Sequence, residues 1–66
     1  MNLENIFYFI NKIEFIKKED VEIFKTRILN INKNIKINII KTKENQKYLH
    51  IFHKKSGFSP ILIKII

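Results

Sequence analysis

Two histidines with neighbouring lysines are the residues of this 66-residue chain best suited to chemistry. His50 and His53 are three positions apart, and Lys54 and Lys55 follow directly. A histidine among lysines can act as a general acid or base on a phosphodiester, while the cations stabilise the developing charge. The same imidazoles would bind a metal ion if they shared one face of a helix. The element that carries them decides between these chemistries.

The segment 48–54, YLHIFHK, predicts a β-strand, because it is rich in aromatic and β-branched residues. Successive side chains of a strand point to opposite faces, so an odd separation directs His50 and His53 to opposite sides of a sheet. The chain has no cysteine to complete a metal shell. We therefore expect no metal site and no cofactor.

Other catalytic classes find little support in the composition. The single glycine, Gly57, excludes a glycine-rich phosphate loop. Ser56 and Ser59 are explained as turn residues rather than nucleophiles. The sequence therefore predicts a protein that is not an enzyme, in which His50 is the one candidate for acid–base catalysis.

The run LHIFHKKSG, residues 49–57, followed by a hydrophobic strand, resembles the strand–turn–strand of HicA-type toxins. These are small ribonucleases with a fold like that of double-stranded-RNA-binding domains, and their catalytic histidine lies on the middle strand. The resemblance implies that His50 is the catalytic position. Tyr48 and Leu49 stand where the family has a Gly-Ser pair. A metal-independent, HicA-like ribonuclease toxin is thus the alternative function.

The net charge of +7 is divided unevenly along the chain. Residues 1–31 carry five basic and five acidic groups, whereas residues 32–66 carry eight lysines and one acid, Glu44. The abundance of Asn, Ile and Lys is typical of AT-rich codons, but that bias would spread lysines over both halves. The segregation therefore favours an anionic partner, with RNA as the first candidate and an acidic protein surface as the second.

The first half of the chain has helical periodicity. Apolar residues recur three or four positions apart in two runs, which are Leu3, Ile6, Phe7, Ile10, Ile13 and Ile16, then Val21, Phe24, Ile28 and Ile31. The runs are out of phase across KKED, residues 17–20, which predicts two helices with a break there. Asparagines at 30, 32 and 34 follow, where an Asn can adopt the left-handed cap conformation. A competing interpretation makes IEFI, residues 13–16, a short strand and gives the order βαβββ.

Two aromatic residues of the first half fall outside its main apolar arc. Tyr8 and Phe15 are seven positions apart, so on one helix they would form a second stripe. Such a stripe would contact another protein or a second copy of the chain.

The second half changes to a period of two. Ile35, Ile37 and Ile39 alternate with polar residues, TKENQ suits a hairpin loop, and Pro60 belongs at the start of the final strand or on an edge. Alternation at 61–65 then predicts a third strand. The expected fold is α+β, with two N-terminal helices packed on one face of a three-stranded antiparallel β-meander (ααβββ). Residues 1–66 form a single small basic domain, helical over 1–31 and a β-meander over 32–66.

The sheet face turned away from the helices is the predicted binding surface. By alternation it carries Lys36, Asn38, Ile40, Tyr48, His50, Phe52, Leu62 and Lys64. Rings that stack on bases and lysines that neutralise phosphates are typical of single-stranded nucleic acid binding. The residues predicted to bind RNA or a protein partner are Lys36, Tyr48, His50, Phe52, Lys54, Lys55 and Lys64. The aliphatic members of the face favour protein contact as strongly.

These observations predict a small basic, non-enzymatic protein that engages RNA or an RNA-loaded enzyme. Its size, charge and lack of a catalytic motif suggest a phage-type inhibitor of a host RNA-guided nuclease (anti-CRISPR-like), and a ribosome-associated structural protein is a further alternative. The absence of cysteine fits the cytoplasm, and no apolar run is long enough for a membrane span. Because so short a chain has a marginal core, a homodimer is also expected.

Overall fold

A computed structural model describes residues 2–66. In chain order the elements are helix α1 (Leu3–Asn11), strand β1 (Phe15–Ile16), a 3₁₀ turn (Lys18–Asp20), helix α2 (Val21–Ile31), and strands β2 (Ile35–Lys41), β3 (Lys47–His53) and β4 (Ile61–Ile65). The strands form one sheet in the order β1-β4-β3-β2. Both helices pack on the same face of that sheet.

The predicted three-stranded antiparallel meander is wrong for the sheet as a whole. The sheet has four strands and is mixed, because β1 pairs parallel with β4 through Phe15 opposite Lys64 and Ile16 opposite Ile65. The meander of β2, β3 and β4 exists within it. The competing order βαβββ places a strand at 13–16, where a shorter one is found, but it omits α1. Neither interpretation gives the observed order.

Helix α1 ends earlier than its apolar arc predicts. It begins at an Asn2 cap, whose side-chain oxygen accepts from the Asn5 amide at 2.8 Å. It ends at Asn11, so Ile13 and Ile16 lie beyond it. Beyond Asn11 the backbone forms sheet hydrogen bonds in place of helical ones. For example, the Ile66 amide donates to the Ile16 carbonyl at 2.9 Å. Residues 13–16 are β-branched or aromatic at three of four positions, which suits a strand better than a helix.

Helix α2 starts directly after the predicted break, and the 3₁₀ turn occupies part of KKED. Its end does not use a left-handed asparagine. Asn32 is extended, with φ −149°, and its side-chain oxygen accepts from the Asn34 amide at 2.9 Å, which turns the chain toward β2. The positive φ found among residues 2–66 is at Asn45 (65°), in the β2–β3 hairpin. Pro60 directly precedes β4, as predicted.

The core lies between the helices and the sheet face that they cover. Its members are all apolar and are Ile6, Phe7, Ile10, Val21, Ile28, Ile35, Leu49, Ile51, Ile61 and Ile63. Each fully buried aliphatic side chain contributes about 1.5–3 kcal/mol relative to exposure, so this layer is the main source of stability. Within residues 2–66, neither helix has the length and hydrophobicity to cross a membrane.

Candidate nucleic-acid interface

The strand pairing arranges the side chains of the uncovered sheet face in three rows. Residues directly opposite each other in neighbouring strands point to the same side. From edge to edge the rows are Lys36 and Phe52; then Asn38, His50 and Leu62; then Ile40, Tyr48, Lys64 and Phe15. We call these nine residues the open face. Eight of them are the residues that alternation assigns to it, and Phe15 is an addition from β1.

A column of three rings runs along the open face on β3. Tyr48, His50 and Phe52 are all partly exposed, and the rings of His50 and Phe52 lie 5.1 Å apart, tilted by 36°. The column lies inside the sheet rather than at an edge, since β3 has β2 on one side and β4 on the other. Pairing with strands on both sides fixes the backbone of β3, so the three rings keep a fixed spacing along the strand.

Lysines flank the ring column on both sides. Lys36 on β2 is opposite Phe52, and Lys64 on β4 is opposite Tyr48. Both side chains are exposed. The nine positions of the open face contain no carboxylate, so nothing within the rows neutralises these two charges. The face therefore combines ring surfaces with uncompensated positive charge, a combination that attracts phosphates.

Lys54 and Lys55 lie off the open face, in the turn that follows β3. The Lys54 amide donates to the Asn34 carbonyl at 3.2 Å, which ties this turn to the start of β2. The Lys55 amide donates to His53 Nδ1 at 3.3 Å. Both lysines are exposed. They extend the positive charge past the end of the face at which Lys36 lies.

The two histidines lie on opposite sides of the sheet, which confirms the prediction from their odd spacing. His50 is on the open face, opposite Asn38 and Leu62, whereas His53 is opposite Ile35, whose side chain is in the core. Neither row neighbour of His50 is titratable, so neither activates it as a general base. Among residues 2–66, no three histidine or carboxylate side chains are grouped so that they could hold a metal ion.

Phe15 is the member of the open face that the sequence prediction missed. It is 55% exposed and adjoins Lys64 through the parallel β1–β4 pair. The prediction placed it in a helical stripe with Tyr8. That stripe does not form, because Tyr8 is on α1, where the Lys12 ammonium lies 4.3 Å from its ring centre. The competing assignment of IEFI, residues 13–16, to a strand was the indication that Phe15 could lie on the sheet.

No protein-family model, curated protein or solved structure matches this chain. The arrangement and charge of the open face therefore carry the functional assignment.

Proposed function

We propose that the open face binds single-stranded RNA, with bases stacked on the rings of β3 and phosphates neutralised by the flanking lysines. The observation that carries the proposal is the column Tyr48, His50 and Phe52, bounded by Lys36 and Lys64. The RNA is bound free or as displayed by a ribonucleoprotein, and inhibition of an RNA-guided nuclease is one form of this activity. A cytoplasmic location, where such RNA is found, is part of the proposal.

Single-stranded RNA fits this face better than a duplex. Bases in a duplex stack on one another, and the deep, narrow major groove of A-form RNA does not admit side chains. Unstacked bases present their ring faces, and a stacked base is worth about 1–3 kcal/mol. Lys36 and Lys64 then contribute a salt-dependent term through counterion release. We assign the face a role in binding rather than cleavage, because the residues paired directly with His50, which are Asn38 and Leu62, supply no second acid or base.

Fluorescence anisotropy with a labelled single-stranded RNA tests this proposal, using Tyr48→Ala and Tyr8→Ala as a matched pair. We expect Tyr48→Ala to lose about 1–3 kcal/mol of binding, roughly five-fold to 150-fold in Kd. Tyr8 is 66% exposed on α1, away from the open face, so Tyr8→Ala should leave Kd unchanged. An equal loss in both variants, or no binding of RNA at low salt, would rule the proposal out.

The same purified protein distinguishes binding from the ribonuclease alternative. On prolonged incubation we expect the labelled RNA to stay intact on a denaturing gel. Cleavage that disappears in His50→Ala and persists in His53→Ala would instead establish a toxin that uses His50. The pair is a matched control, because both histidines are on β3 but point to opposite sides of the sheet.

A further inference from the structure

A groove of about 600 Å³ runs between α1 and α2 on the helical side of the molecule. Its walls expose three large apolar side chains, with Phe9 from α1 exposed by 58%, and Ile23 and Ile31 from α2 by 55% and 49%. None of these three belongs to the core or to the open face. Contiguous exposed apolar surface of this kind marks an interaction site.

The groove also contains two opposite charges that form no ion pair within residues 2–66. Asp20 and Arg27 both line it, and they are about 10 Å apart along the helix axis at 1.5 Å per residue. The ion pair that residues 2–66 form joins Lys25 to Glu22 at 3.7 Å and includes neither of them. The Asp20 side chain makes no capping hydrogen bond to α2 either. Both charges are therefore available to an external partner.

Asp20, at the N-cap of α2, and Arg27, within α2, have a spacing that is self-complementary under a two-fold axis. When α2 lies antiparallel to the α2 of a second copy, with the axis between Ile23 and Phe24, Asp20 meets the partner's Arg27 and Arg27 meets the partner's Asp20. The apolar side chain of Ile23 then packs at the axis. Each contact occurs twice, as in every interface between identical patches.

The distribution of charge selects the helical side for association between copies. Residues 1–31 have no net charge, whereas residues 32–66 carry +7. Two copies that met through their open faces or their β2 edges would bring lysines together, and like charges across an interface are costly. A standard protein–protein interface buries about 800 Å² of surface on each partner. The chain exposes 5060 Å², so its surface is large enough for an interface of that size. A chain this short also gains most from extra apolar burial.

We propose that two copies of this chain form a two-fold symmetric dimer through the α1–α2 groove, with Ile23 at its centre and reciprocal Asp20–Arg27 ion pairs on either side. The dimer leaves the open faces outward, because the helices cover the other side of each sheet. This inference does not depend on RNA binding.

Sedimentation equilibrium of the full chain tests the location of the interface. We expect the wild-type protein to have twice the 8.0 kDa mass of one chain and Ile23→Glu to have the mass of a monomer. The matched control is Leu62→Glu, since Leu62 is 54% exposed on the open face and Ile23 is 55% exposed in the groove. This control should remain a dimer. A monomeric wild type, or dissociation caused by Leu62→Glu but not by Ile23→Glu, would overturn the proposal.

Charge exchange tests the two-fold arrangement itself. Asp20→Arg or Arg27→Asp alone replaces two attractive contacts by two repulsive ones, and we expect the dimer Kd to rise about ten-fold or more. The double variant Asp20→Arg/Arg27→Asp restores opposite charges at both contacts and should recover the wild-type Kd. Circular dichroism confirms that each variant is folded. If folded double variants dissociate as readily as the single ones, the reciprocal pairing is wrong.

Discussion

The two sides of strand β3 carry different kinds of side chain within seven residues. On the covered side Leu49 and Ile51 are fully buried beneath the helices. On the open side Tyr48, His50 and Phe52 are partly exposed, with no second layer above them. Aliphatic residues suit the covered side because they fill a close-packed core. Rings on the uncovered side add little to that core, and they remain accessible to a partner.

The neighbouring strand shows the same division. On β4 Ile61 and Ile63 are buried, whereas Leu62 is exposed and Lys64 places a charge beside the rings. Lys36 and Lys64 lie beside the rings on the open side, whereas Lys41 and Lys47 pair at the end of the covered side, beyond the buried residues. The comparison therefore predicts that substitutions on the covered side change stability and that substitutions on the open side change binding.

The largest expected effect is on the covered side. Ile51→Ala removes a fully buried side chain and should lower the free energy of unfolding by about 2–5 kcal/mol. The matched change Ile40→Ala, on the open face, should cost less than about 1 kcal/mol, because Ile40 is 39% exposed and loses chiefly β-propensity. Urea denaturation followed by circular dichroism measures both.

If Ile40→Ala is as destabilising as Ile51→Ala, the covered side does not contribute more to stability than the open side. If Ile51→Ala does not fold, Ile51→Val takes its place, with an expected loss of about 0.5–1.5 kcal/mol.

The next effect separates stacking from simple apolar contact on the open side. Phe52→Leu keeps an apolar side chain but removes the ring, so we expect RNA binding to lose about 1 kcal/mol, roughly five-fold in Kd. Phe58→Leu is the control, since Phe58 packs against Phe7 at 5.1 Å and is not on the open face. Anisotropy titration measures both. Unchanged RNA binding in Phe52→Leu would mean that the Phe52 ring does not stack on a base.

The division of side chains between the two faces of β2, β3 and β4 could be predicted from the sequence. Alternation with a period of two specifies which side chains share a face, and the short hairpin between β2 and β3 keeps that pairing local. The polar loop TKENQ and Pro60 mark where strands stop and start. The eight predicted members of the open face follow from that local pattern.

Strand β1 and the groove could not be predicted in the same way. A two-residue strand is too short to show a period, and its partner β4 lies at the other end of the chain, so no local pattern records the pairing of Phe15 with Lys64. Ile13 and Ile16 are three positions apart, a helical spacing, so periodicity assigns them to the first helix rather than to a strand. The groove depends on how α1 packs beside α2, which leaves Phe9 and Ile23 exposed. Periodicity identifies apolar residues but not the packing that covers them.

The smallest effect concerns charge and compares the two halves of the chain. If Lys64 neutralises a phosphate beside Tyr48, Lys64→Gln should reduce the slope of log K against log salt by about 0.7, the value for one contact with a single strand. Lys25→Gln removes the same charge from α2, where Lys25 pairs with Glu22. It should leave the slope unchanged, although it lowers the net charge equally. Titrations at several salt concentrations supply both slopes. Equal slopes for the two variants would show that RNA responds to total charge alone, and Lys64 would then have no specific role in the open face.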